Sequence, residues 1–149
     1  MKMVPLKQFI CDKCGELIKS PEDGWLQWLD IDPETGRNVD NNFIIVHHMP
    51  ASPLGGNYGC YHRSQHISDM HLEYFLGHNG LVHLLSLFDS KLNETKELIE
   101  IIRRLHIPHY EEARIYWKTA TNDGFLDEAD SEWPYLQDNL LEIINRYGS

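Results

Sequence analysis

The sequence has too few cysteines for a disulfide framework, too few basic residues for a nucleic-acid surface and no apolar run long enough to span a bilayer. Only three cysteines occur among 149 residues, Cys11, Cys14 and Cys60. An odd number of thiols in a reducing compartment favours metal binding or free thiols over a disulfide framework. No stretch approaches the ~18 consecutive apolar residues of a transmembrane helix. Met1 to Lys7 holds no apolar segment of the length a secretory signal needs, so the expectation is a cytoplasmic protein without a membrane partner. Lysine and arginine number 13 against 23 acidic residues, and the net charge of −10 opposes non-specific grip on phosphate backbones. Such grip depends on clustered cations, and no long basic stripe is present. Also absent are a glycine-rich phosphate loop, a Gly-x-Ser-x-Gly elbow, a dinucleotide fingerprint and any internal repeat.

What is present suits an ordinary globular chain, with 42% hydrophobic and 24% charged residues. The length fits one domain, or a small module joined to a helical part, and allows a sizeable core. Charge is unevenly placed. After Thr121 the acids Asp123, Asp127, Glu128, Asp130, Glu132, Asp138 and Glu142 face Arg146 alone. That acidic third points to another protein with a basic surface as partner. From Lys91 to Lys118, Lys96, Arg103, Arg104 and Arg114 interleave with Glu94, Glu97, Glu100, Glu111 and Glu112, which reads as a solvated, ion-paired helix face.

Local patterns divide the chain near residue 66. Gln8-Phe9-Ile10 and Glu16-Leu17-Ile18 flank the first two cysteines as a short hairpin. Trp25–Ile31 and the β-branched run Phe43-Ile44-Ile45-Val46 read as paired strands, separated by turn signals at Asp32-Pro33 and Gly36. Beyond His66 the periodicity becomes helical. Ser68 would cap a short helix carrying Leu72, Phe75 and Leu76, and Asn79 would cap the next, with Leu81, Leu84, Leu85 and Phe88. Asn93 would cap a third, with Leu98, Ile101, Ile102 and Leu105 as its apolar stripe. A fourth begins at Pro108, and a fifth carries Leu136, Leu140, Ile143, Ile144 and Tyr147 before Gly148. The expected fold is α+β: a β-hairpin zinc-binding module over 1–66, packed on about five helices over 67–149 as one compact unit.

The chemistry concentrates at the cysteines. Cys11 and Cys14, three apart with Gly15 after them, can place two thiolates on one side of a tight turn. Half a tetrahedral zinc site is then present, and Cys60 supplies a third thiolate. Seven histidines follow in one region: His47, His48, His62, His66, His71, His78 and His83. If Asn57–His62 is extended, Cys60 and His62 project to the same side, which makes His62 the first choice of fourth ligand. His47, His48 and His66 remain open. The expected cofactor is a structural zinc ion bound by Cys11, Cys14, Cys60 and His62.

The Cys-x-x-Cys-Gly turn resembles the knuckle of the zinc-ribbon and treble-clef families, and the likeness runs from Ile10 to about His66. It departs at the second knuckle, where Cys60 stands without a paired cysteine. A second likeness is to the HNH nucleases, on Val46-His47-His48-Met49-Pro50, Asn57 and a later histidine. That resemblance implies His47 or His48 as general base, Asn57 as its orienter and His62 or His66 as metal ligand. Thr119–Asp127 has the glycine and acids of a calcium loop, but Thr119 occupies the position of the first aspartate. The histidines near helix ends read as caps or surface residues. The ranking that results is a protein-interaction or regulatory module built on structural zinc, ahead of a metal-dependent nuclease or other hydrolase.

Overall fold

The computed structural model describes residues 2–56, 58–64 and 66–148. Its architecture is α+β: two antiparallel sheets in the N-terminal part, then five helices. The first sheet is the hairpin of β1 (Phe9–Ile10) and β2 (Leu17–Ile18), with Phe9 opposite Ile18. The second has the order β4-β3-β5, formed by β3 (Gly24–Leu29), β4 (Asn41–His47) and β5 (Ile67–His71), all antiparallel.

β5 corrects the expectation of a helix capped at Ser68. Ser68 pairs with Trp28 inside a strand, and helical turns begin only at Leu72. The free edge of β3 needs a hydrogen-bonding partner, and Ile67–His71 supplies one. That tertiary demand overrides the weak local capping signal.

Among the described residues five α-helices follow: α1 (Gly77–Ser86), α2 (Thr95–His106), α3 (Tyr110–Ile115), α4 (Trp117–Asn122) and α5 (Gln137–Tyr147). The single fourth helix expected from Pro108 is broken at Tyr116 into α3 and α4. In α2, Leu98, Ile101 and Leu105 turn inward at helical spacing. They join Phe9, Ile18, Leu26, Ile45, Leu72 and Leu84 in one core that spans both sheets, α1 and α2. A second core gathers Tyr110, Ala113, Ala120, Leu140 and Ile143 among α3, α4 and α5. Tyr135, packed on the second core, stacks on Trp117 at 5.5 Å and carries the Arg103 guanidinium of α2 at 3.8 Å from its ring centre.

The charge pattern of α2 and α3 also departs from the sequence expectation. Arg104, Glu111 and Glu112 are buried. The Arg104 guanidinium donates to both carboxylate oxygens of Glu111 at 2.8 Å. Helical spacing suggested solvated side chains, but polar groups from the distant hairpin come to meet them.

Candidate metal centre

The hairpin turn builds the first half of the site. The Cys11 amide donates to the Glu16 carbonyl at 3.0 Å and the Gly15 amide to the Cys11 carbonyl at 2.9 Å, closing the turn. Gly15 takes φ +78, as a turn of this tightness requires. The turn then docks edge-on against β4. The Asp12 amide donates to the Ile45 carbonyl at 2.8 Å, and the Ile45 amide donates to the Asp12 carboxylate at 2.8 Å. That pairing brings the cysteines to the end of β4, where His47 is buried at 4% exposure.

Cys60 arrives from a second turn. The Tyr61 amide donates to the Tyr58 carbonyl at 2.8 Å, and Gly59 adopts φ +53. The Ser52 hydroxyl lies 3.0 Å from the Cys60 sulfur. A Cβ at Gly59 would meet Ser52 Cβ and Oγ at 2.7 Å. Gly59→Ala is therefore expected to destabilise the protein by about 1–3 kcal/mol, from left-handed backbone strain and overlap together. Gly55→Ala, where a Cβ has nothing within 4 Å, should stay within about 0.5 kcal/mol of wild type. Denaturant titration of the two variants side by side checks the contrast. Equal losses would show that the Cys60 turn does not depend on Gly59.

The result is a group of four. Donor atoms of Cys11, Cys14, Cys60 and His47 all lie within 4.8 Å of one another. His47 Nδ1 is 3.5 Å from the Cys14 sulfur and 3.7 Å from the Cys60 sulfur. Its Nε2 lies 3.0 Å from the Leu17 carbonyl, which can only accept. The ring proton therefore sits on Nε2, and the Nδ1 lone pair is left facing the sulfurs. A backbone carbonyl fixing the tautomer in this way is the usual support of a metal-binding imidazole.

The electrostatics call for a cation. Burial opposes a Cys11 thiolate, but backbone amides of Cys14, His47 and Lys13 outweigh it and bring the pKa to about 7. Burial, joined by the neighbouring Cys11 and Cys60 sulfurs, pushes Cys14 up to about 11. Three thiols this close cannot all ionise unless positive charge is placed among them.

The structure thus gathers the three cysteines, with His47 as fourth member in place of His62. His62 lies outside the group because Tyr58–Tyr61 is a turn, so strand alternation from Cys60 does not hold. The His62 backbone is tied instead to buried Gln27: its amide donates to Oε1 at 3.1 Å, and Gln27 Nε2 donates to its carbonyl at 3.3 Å. A usable signal for His47 existed in the sequence. Phe43, Ile45 and His47 alternate on one face of β4, and all three are buried.

The histidines of the HNH-like motif are dispersed. His47 enters the cysteine group, His48 stacks on Trp25 at 5.5 Å, and His66 lies 3.7 Å from Asp30. Asn57 lies outside the described residues. Among the described residues no helix is long and apolar enough to cross a membrane.

No family model matches the chain, and no curated protein or solved structure shows significant similarity to it.

Proposed function

We propose that Cys11, Cys14, Cys60 and His47 bind a structural zinc ion, and that the protein serves as a protein-interaction or regulatory module. The observation that carries this reading is the convergence of three thiols and one imidazole within 4.8 Å. In a tetrahedral site with Zn–S about 2.3 Å and Zn–N about 2.0 Å, sulfur and nitrogen stand about 3.5 Å apart. The distances of 3.5 and 3.7 Å from His47 Nδ1 to two of the sulfurs match that edge. Four protein ligands close the coordination sphere, which favours a structural ion over a catalytic one that keeps a position for water. Soft thiolates select zinc over magnesium or calcium.

Zinc supplies folding free energy where two short turns have little core of their own. We place the metal-binding module in the N-terminal part, whose second sheet is completed by β5, with α1 to α5 packed on it as one compact unit. The partner would be a protein with a basic surface, drawn to the exposed Asp127, Glu128, Asp130, Glu132 and Asp138.

Elemental analysis of the purified protein is expected to find about one zinc per chain. Cobalt substitution should give thiolate charge-transfer bands and the d–d bands of a tetrahedral ion. Protein that carries no metal and takes up neither ion would end the metal reading. For the partner surface, calorimetric titration with an oligolysine probe should show binding that weakens as salt is raised. Absence of binding at low salt would remove that part.

A further inference from the structure

The residues on both sides of Cys11 are held by side chains from α2 and α3. Arg104 Nη1 donates to the Asp12 carboxylate at 2.7 Å, and Nη2 donates to the Ile10 carbonyl at 3.0 Å. The Ile10 amide donates to Glu111 Oε2 at 2.9 Å. Arg114 adds a further bond to Glu111 Oε1 at 2.9 Å. At 3% and 5% exposure, Arg104 and Glu111 have no solvent to replace these partners. The network has two cations, Arg104 and Arg114, and three anions, Glu111, Asp12 and Glu100, the last 3.8 Å from Arg114. Asp12 is the member that the knuckle contributes.

We infer that the metal centre and the helical layer form one coupled unit, in which metal at the knuckle fixes the packing of α2 against α3 through Asp12, Arg104 and Glu111. The inference rests on the metal reading above. A knuckle without its ion keeps the two Asp12–Ile45 hydrogen bonds but lacks the metal–ligand bonds that would tie Cys11 and Cys14 to Cys60 and His47. As it loosens, Ile10 and Asp12 move with it. Arg104 then loses two acceptors, Glu111 loses one donor, and the buried guanidinium keeps the Glu111 carboxylate but not that of Asp12. A buried cation in that state destabilises its surroundings, so disturbance spreads from the turn into α2 and α3. The coupling is reciprocal: whatever fixes the helices also tightens metal binding by the same factor. Arg104 is thereby a positioning residue for a site it does not touch.

Hydrogen exchange of the wild-type protein, metal-free and zinc-loaded, tests this directly. Zinc is expected to slow exchange at the hairpin and also across 103–113, a stretch that begins 43 residues beyond Cys60, the nearest ligand in sequence. Arg104→Met, which keeps bulk and removes charge, is expected to weaken zinc affinity about tenfold, the lower end for supporting residues around a metal site. Zinc uptake with protection confined to the hairpin would overturn the coupling, as would unchanged affinity in Arg104→Met. If that variant does not fold, the wild-type exchange comparison decides. No zinc uptake by wild type would overturn the metal reading, and the coupling with it.

Discussion

Removing the metal with a strong chelator is expected to lower the unfolding midpoint by about 10–15 °C. Free zinc at about 1,000 times its dissociation constant stabilises a folded protein by about 4 kcal/mol. For a chain of this length each kcal/mol moves the midpoint by about 2–4 °C. Cys60→Ser should reproduce the shift, because it removes one ligand from the group of four, and chelator should then have no further effect. A wild-type midpoint that ignores the chelator would sink the structural role. The pH dependence has a definite sign. Cys14, held near 11 without metal, must release its proton on binding, so affinity weakens as pH falls, by about tenfold per unit for that proton alone. Cys11, near 7, adds a further proton only below that pH.

Glu111→Gln is expected to lower stability by about 3–5 kcal/mol at neutral pH, the usual loss when one partner of a buried ion pair is removed. The substitution preserves shape but leaves Asp12 as the one carboxylate on Arg104 and takes from Arg114 its carboxylate at 2.9 Å. Burial works against the Glu111 carboxylate, but Arg104, and then Arg114, hold its pKa below the usual carboxylate range. A depressed folded-state value means that its contribution is fully present above the unfolded value of about 4.3. It is lost as pH falls through the lower folded value. The difference between wild type and Glu111→Gln should therefore be constant near neutrality and shrink in acid. Urea titrations at several pH values would show it, and a gap that widens in acid would refute the assignment.

How far these features could be read in advance depended on how local their causes are. Cys11, Cys14 and Gly15 announce a turn because its geometry is contained within a few residues. The stripe of α2 was visible for the same reason, through Leu98, Ile101 and Leu105. The α+β class followed from the change of periodicity beyond His66. The fourth member of the site was not local. Choosing between His62 and His47 required knowing that Tyr58–Tyr61 turns and that β4 ends beside the hairpin. Arg104 and Glu111 were misjudged because their partners, Ile10 and Asp12, lie about a hundred residues away; the separation of Ile10 from Glu111 is 101. A strand at Ile67–His71 was hidden likewise, since its cause is the open edge of β3.

The docking of Asp12 on Ile45 has one more effect. β4 is an outer strand of its sheet, and its central residues Phe43, Ile44, Ile45 and Val46 carry no charge. The hairpin occupies both backbone groups of Ile45 on the side away from β3. Such a strand, once uncovered, is a template for pairing with another chain. The knuckle thus acts as an edge guard, and chains that have lost it should self-associate through Asn41–His47 as well as unfold.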